Sequence, residues 1–147
     1  MKVLDASLIV SSFLEKEKYH REAKLFLERL ISSAETTILP ELILPEVASA
    51  IARGTRIPDY AIDFCKELRR LPNFIFVPID ELLSDTAIEI ASKYSLRGAD
   101  SIYVALAYRY NAELVTLDQE QNEKASKLIK VVLIQKNNTN LINERLK

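Results

Sequence analysis

Five short apolar runs, at residues 2–4, 36–39, 74–77, 113–117 and 131–134, recur along the chain, and segments with helical spacing fill most of the intervals between them. Strands that alternate with helices in this way predict a parallel sheet joined by right-handed crossovers and covered on both faces. Residues 7–14 set Leu8, Ile9, Phe13 and Leu14 at helical spacing, and residues 20–32 put Ala23, Phe26, Leu27, Leu30 and Ile31 on one stripe. Either Pro40 or Pro45 suits the first turn of a third helix running to about Arg53, with Gly54 placed to end it. A fourth helix starts near Pro58, where a locked φ and a missing N–H are harmless, and stops near Leu71, before Pro72. Residues 80–94 follow as a helix with Leu83, Ala87, Ile90 and Ala91 inward, and Gly98 punctuates the chain before residues 99–110. That last segment is almost entirely apolar or small, which predicts a helix buried on most sides. The expected architecture is a three-layer α/β/α sandwich around a central parallel sheet of about five strands. It forms one domain over residues 1–134, followed by an Asn-rich, charged tail over residues 135–147.

A chain of 147 residues, 48% hydrophobic, is large enough for one core that removes roughly two-thirds of the unfolded surface from water. Charges interrupt every apolar stretch before about 18 residues, and the amino terminus lacks a basic segment followed by a long apolar one. The expectation is a cytoplasmic protein with no membrane segment. Cys65 is the single cysteine, which excludes an internal disulfide and a zinc ribbon; its spacing with Ala61 and Leu68 suggests core packing. His20 is the single histidine, read as a surface residue near the start of the second helix, so an imidazole general base is not expected.

Four carboxylates stand in apolar surroundings. Asp5 closes the run V-L-D-A-S, Glu46 lies in L-P-E-V-A-S-A-I, Asp100 opens A-D-S-I-Y-V-A-L-A, and Asp118 ends L-V-T-L-D. An ionised carboxylate buried without a partner costs several kcal/mol or forces its pKa upward, so something must compensate each. A hard divalent cation compensates several at once, because Mg²⁺ prefers oxygen ligands and keeps some of its water. Each residue also has a plain structural role open to it. Asp5 and Asp100 suit helix caps or helix amino ends, Asp118 suits a turn, and Glu46 suits the wet side of its helix. Their joint placement at strand ends and helix starts favours the metal reading, since ligands in open parallel sheets sit beyond the carboxyl ends of the strands.

The ordered set V-L-D-A-S, L-P-E-V-A-S-A-I, L-R-G-A-D-S-I-Y-V-A-L-A and L-V-T-L-D, spanning residues 3–118, resembles a PIN domain. In length and layout the chain is similar to the VapC-type toxins of toxin–antitoxin pairs. The resemblance implies that Asp5, Glu46, Asp100 and Asp118 are metal ligands and catalytic residues, holding Mg²⁺ or Mn²⁺, with Ser7 and Thr116 in support through hydrogen bonds. It implies a metal-dependent endoribonuclease that leaves a 5′-phosphate and a 3′-hydroxyl, with no side-chain nucleophile required. It further implies a homodimer silenced by a cognate antitoxin, whose helix would fill a groove on the first four helices. Glu120 is either a fifth acidic group at the rim or a solvated charge. Gln121 departs from the family, where an aromatic or aliphatic residue is common, and puts the packing of that loop in question.

The net charge of −1 gives no basic excess of the kind usual among phosphate-binding domains. With four carboxylates committed to a cation the other side chains carry +3, and Arg53, Arg56, Arg69, Arg70, Arg97 and Arg109 are available to phosphates. The alternative is that these arginines line a solvated face. Tyr103, Tyr108 and Tyr110 are candidates for stacking on bases, with core packing favoured for Tyr103. Two other functions fit a parallel sheet with Asp at its strand ends. A D-x-D phosphatase would want Asp where Ser7 stands, and a receiver domain would want an acidic pair and a later Lys that are not evident. A PIN-like module that binds RNA or protein without cutting is a third possibility; the four intact acidic positions argue against it.

Overall fold

A computed structural model of the chain describes residues 1–136. Among these residues the elements run β1 (Lys2–Leu4), α1 (Ala6–Phe13), α2 (His20–Ser33), β2 (Thr37–Pro40), α3 (Ile43–Thr55) and α4 (Pro58–Arg70). They continue with β3 (Phe74–Val77), α5 (Glu81–Tyr94), α6 (Gly98–Arg109), β4 (Glu113–Thr116), α7 (Gln119–Ala125) and β5 (Val131–Leu133). The five strands form one sheet in the order β3-β2-β1-β4-β5, parallel throughout. Right-handed crossovers place α1 to α4 over one face and α5 to α7 over the other, which is the expected three-layer sandwich.

The chain leaves β1 towards β2 and β3, then crosses back to lay β4 and β5 on the other side of β1. The strand order therefore reverses between β1 and β4, and that crevice is where an open parallel sheet presents ligand-binding loops. Val3 pairs with Ile38 on one side and Leu114 on the other, and both neighbours of this central strand are buried with it. Across the sheet lies α6, with Tyr103, Val104, Ala105, Leu106 and Ala107 essentially inaccessible to water, as its apolar composition predicts.

The structure departs from the sequence-based expectations mainly at element ends. Gly54 does not terminate α3; it lies inside the helix, where an added Cβ would sit 2.8 Å from Leu14 Cδ1, so its role is to let α1 and α3 approach. The helix ends at Arg56, whose φ of 61° is left-handed. Ala34 and Ser95 close α2 and α5 in the same way. Both glycines of the chain are helical, so glycine was a poor marker of ends here. Gly98 opens α6 and does not precede it, Pro45 and not Pro40 sits in the first turn of α3, and Pro40 belongs to β2. The last strand before Asp118 stops at Thr116, and α7 follows, a short helix whose polar sequence Q-E-Q-N-E-K-A carries no apolar period. Of the expected tail over residues 135–147, residues 137–147 lie outside the described residues.

A left-handed non-glycine residue stores backbone strain that glycine does not. Arg56→Gly is therefore expected to stabilise the fold by about 1 kcal/mol, read as a higher urea midpoint. An unchanged or lower midpoint would show that this turn carries no strain.

Candidate active site

Asp5 follows β1 directly, and its backbone N–H continues the sheet by donating to the Val115 carbonyl at 3.0 Å. Only 7% of the residue is exposed. Its Oδ2 accepts the Ser7 N–H at 3.2 Å, the Ser7 hydroxyl at 2.5 Å and the Thr116 hydroxyl at 3.4 Å. Asp5 thus caps α1, the structural role open to it, while its carboxylate is fixed from β4 as well. The same two hydroxyls accept bonds from the next segment, Ser7 Oγ from the Leu117 N–H at 3.3 Å and Thr116 Oγ1 from the Asp118 N–H at 3.0 Å. Ser7 and Thr116 therefore lace the carboxyl ends of β1 and β4 together around one carboxylate. Burial pushes the Asp5 carboxyl above its ordinary pKa; the Ser7 hydrogen bonds oppose this, and the nearby Asp100 and Asp118 charges add to it.

Glu46 lies in the first turn of α3, half-buried, and reaches across to α6, where the buried Tyr103 hydroxyl donates to its Oε2. Burial raises the Glu46 pKa, the Tyr103 bond lowers it, and Asp5 and Asp100 raise it again. Burial, the bond to Glu46 and the surrounding negative charge push the Tyr103 phenol far above its usual range, so it stays a donor. Asp100 is in the first turn of α6, and Asp118 caps α7 by accepting the Gln121 N–H on Oδ1 at 3.0 Å. One guanidinium joins these two: Arg97 Nε donates to Asp100 Oδ2 and Nη2 to Asp118 Oδ2, both at 2.9 Å.

Asp5, Glu46, Asp100 and Asp118 line a single open cleft of about 760 Å³, together with Ser7 and Arg97. Arg53 is also on its wall, donating to Ser49. Four carboxylates from four separate elements thus meet at the carboxyl ends of β1 and β4. Among the described residues no three acidic, histidine or cysteine side chains draw close enough to make a closed metal cage. The donor chemistry fits a hard cation all the same, because Mg²⁺ is commonly held by one or two carboxylates with water completing its shell, and the cleft is open enough to keep that water.

Other candidates lie elsewhere. Glu120 is exposed and paired with Lys124 at 2.5 Å, which holds its pKa low. Tyr108 belongs to a different pocket, at the amino ends of the strands with Met1, Lys2 and Glu113, and Tyr110 follows at the same far end of α6, so neither is placed to stack on a ligand in the acidic cleft. Of the arginines considered for phosphate, Arg69 pairs with Glu41, Arg70 with Glu67 and Arg109 with Asp80, all away from the cleft. His20 opens α2, as expected, and is half-buried there, its Nδ1–H donating to the Ser11 carbonyl at 2.8 Å. Cys65 packs half-buried against the core. Gln121 is 1% exposed, and its side-chain amide has no hydrogen-bond partner among the described residues. Sequence reasoning missed Tyr103 as the donor to Glu46 and Arg97 as the link between two carboxylates. The signal was their spacing, since Arg97, Asp100 and Tyr103 fall three residues apart on one side of α6.

Comparison with known proteins agrees with the fold. Residues 2–127 match the family model for the PIN domain. Ribonuclease VapC3 of Pyrobaculum aerophilum is 30% identical over 132 residues, covering 86% of this chain and 96% of that protein. Among solved structures, VapC20 of Mycobacterium tuberculosis, described as a sarcin–ricin loop cleaving toxin, superposes with a TM-score of 0.71 at 16% identity, over 89% of this chain and 98% of its own. VapBC2 of Rickettsia felis, solved with a DNA fragment from its promoter, gives a TM-score of 0.68 at 12% identity, over 91% and 98%.

Because burial raises the Asp5 and Glu46 pKa values, their ionisation works against folding. The cost is absent below the ordinary carboxylate range and grows as pH rises through the raised native values. In chelator, then, melting temperature is expected to fall as pH climbs through that window. Asp5→Asn, which keeps an acceptor for Ser7, should reduce the fall and melt higher than wild type at neutral pH. A lower melting temperature for this variant at neutral pH would contradict the electrostatic account.

Proposed function

Since the chain belongs to the PIN-domain family, we propose that it is an endoribonuclease hydrolysing RNA phosphodiester bonds at the acidic cleft, and that it serves as the toxin of a toxin–antitoxin pair. The observation that carries this reading is the meeting of Asp5, Glu46, Asp100 and Asp118 around one open cleft at the strand-order reversal. The 30% identity to Ribonuclease VapC3 over almost all of that protein supports the choice of RNA as substrate.

The cleft lined by Asp5, Glu46, Asp100 and Asp118 would hold Mg²⁺ or Mn²⁺ on one or two of these carboxylates with water completing its shell, and the ion when bound supplies an activated water and offsets charge on the phosphate. The chain's own contribution is placement. Ser7 and Thr116 fix the Asp5 oxygen that they share, leaving the carboxylate one orientation towards the cleft. Tyr103 does the same for Glu46 without adding charge, so the floor of the cleft stays negative and attractive to a cation. Arg53 and Arg97 stand on its wall as donors for phosphate oxygens. The openness of the cleft suits a single-stranded segment, whose backbone can enter where a duplex is too wide.

The antitoxin and the homodimer are proposed from likeness to the VapC toxins. A shallow groove between α3 and α4, lined by Leu44, Ala48, Ile62 and Cys65, is a fitting seat for an apolar helix face, and Ile62 is half-exposed there. No helix among the described residues is long and apolar enough to cross a membrane.

Cleavage of single-stranded RNA is expected with Mg²⁺ or Mn²⁺ and to stop in chelator. Asp5→Asn and Asp100→Asn should each lower the rate by about a hundredfold or more, the scale on which losing one preorganised electrostatic group acts. Undiminished cleavage in chelator, or in both variants, would refute the assignment.

A further inference from the structure

The four carboxylates are not compensated alike. Asp5 and Glu46, the inner pair, are held by neutral hydroxyls from Ser7, Thr116 and Tyr103. Asp100 and Asp118, the outer pair, share one positive charge, the Arg97 guanidinium, through Nε and Nη2 at 2.9 Å each. Asp118 has no idle oxygen: Oδ1 caps α7 through the Gln121 N–H at 3.0 Å and Oδ2 takes Arg97. An incoming cation that uses Asp118 must therefore share or displace one of these bonds. The backbone cap is built into the start of α7, whereas the Arg97 side chain is 70% exposed. Exposed ion pairs in water are weak, so Arg97 is the partner that yields.

We infer that Arg97 is a resident counter-cation that competes with the divalent ion for Asp100 and Asp118, and that on release it becomes a phosphate-binding residue for the RNA. This rests on the proposed cation-dependent nuclease reading and adds a second function to one side chain. Release does not carry Arg97 away from the site. It is the N-cap of α6, its carbonyl accepts the Ser101 N–H at 2.9 Å, and it stands three residues before Asp100. A freed guanidinium at the cleft wall presents a planar fork of donors that matches two phosphate oxygens. Lysine would carry the charge but could not span two carboxylates through two nitrogens.

Competition of this kind gives opposite signs for two affinities. Mn²⁺ binding to the full chain, followed by calorimetry, is expected to tighten about two- to fivefold in Arg97→Ala, the scale of one exposed ion pair. In the same variant the KM for a single-stranded RNA should rise more than kcat falls. Arg97→Lys should land between wild type and Arg97→Ala in both measurements, and far-ultraviolet circular dichroism checks that each variant is folded. If folded Arg97→Ala binds Mn²⁺ no tighter than wild type while wild type binds and cleaves, the competition is refuted and the nuclease reading stands. If tighter Mn²⁺ binding comes with an unchanged KM, the phosphate role is refuted. If neither protein binds Mn²⁺, both the inference and the cation-dependent reading fall together.

Discussion

Negative charge concentrated in one place is the constraint around which this molecule is arranged. Asp5 is almost wholly buried and Glu46 half so, and each feels the charges of other carboxylates. Left alone, such a group is either protonated or a drain on stability. The fold answers with donors of two kinds. Hydroxyls from Ser7, Thr116 and Tyr103 stabilise the inner carboxylates without cancelling their charge, and a guanidinium cancels one charge on the outer pair. The inner part of the cleft consequently keeps a negative potential, the condition under which a small hard cation is preferred to a bulky organic one.

That arrangement depends on the topology. Asp5 and Asp118 come together because β1 and β4 are hydrogen-bonded neighbours, although more than a hundred residues separate them. Val3 pairing with Leu114 fixes the register, and with it the position of Thr116 next to the Asp5 carboxylate. Slippage of β4 by one residue would turn Thr116 to the opposite face of the sheet and remove one of the hydroxyls on Asp5. The buried hydrophobic interface between the sheet and α6 resists such slippage, so core packing and site geometry are parts of one requirement.

Much of this was legible from residue order alone. The five apolar runs became five parallel strands, and the alternation of strand and helix was enough to expect a sandwich with Asp5 and Asp118 near one edge. What escaped was information that sequence spacing does not carry. The end of α3 was misplaced because Arg56 closes that helix in left-handed backbone where Gly54 was expected to, while Gly54 serves packing against Leu14; the ends of α2 and α5, closed in the same way by Ala34 and Ser95, were read to within a residue. The short helix α7 lacks apolar periodicity and is set by its Asp118 cap and its packing on β4 and β5. Reading Arg97 as one of several free cations missed that its two carboxylate partners are 3 and 21 residues away, the second brought near only by the sheet.

Helix α6 connects these levels. Arg97, Asp100 and Tyr103 follow one another at its amino end, and each points to a different demand: one towards Asp118, one into the cleft, one towards Glu46 on α3. Because Tyr103 is also among the largest fully buried side chains, its hydroxyl cannot move without disturbing the core, and Glu46 inherits that rigidity. Arg97 lies at the exposed end of the same helix, its side chain 70% exposed and held by its ion pairs to Asp100 and Asp118. A gradient of burial therefore runs along three residues of one helix, from a core-locked phenol through a half-buried carboxylate to an exposed guanidinium held only by its two ion pairs. Such a gradient suits a site that must hold its ligands still while exchanging what they bind.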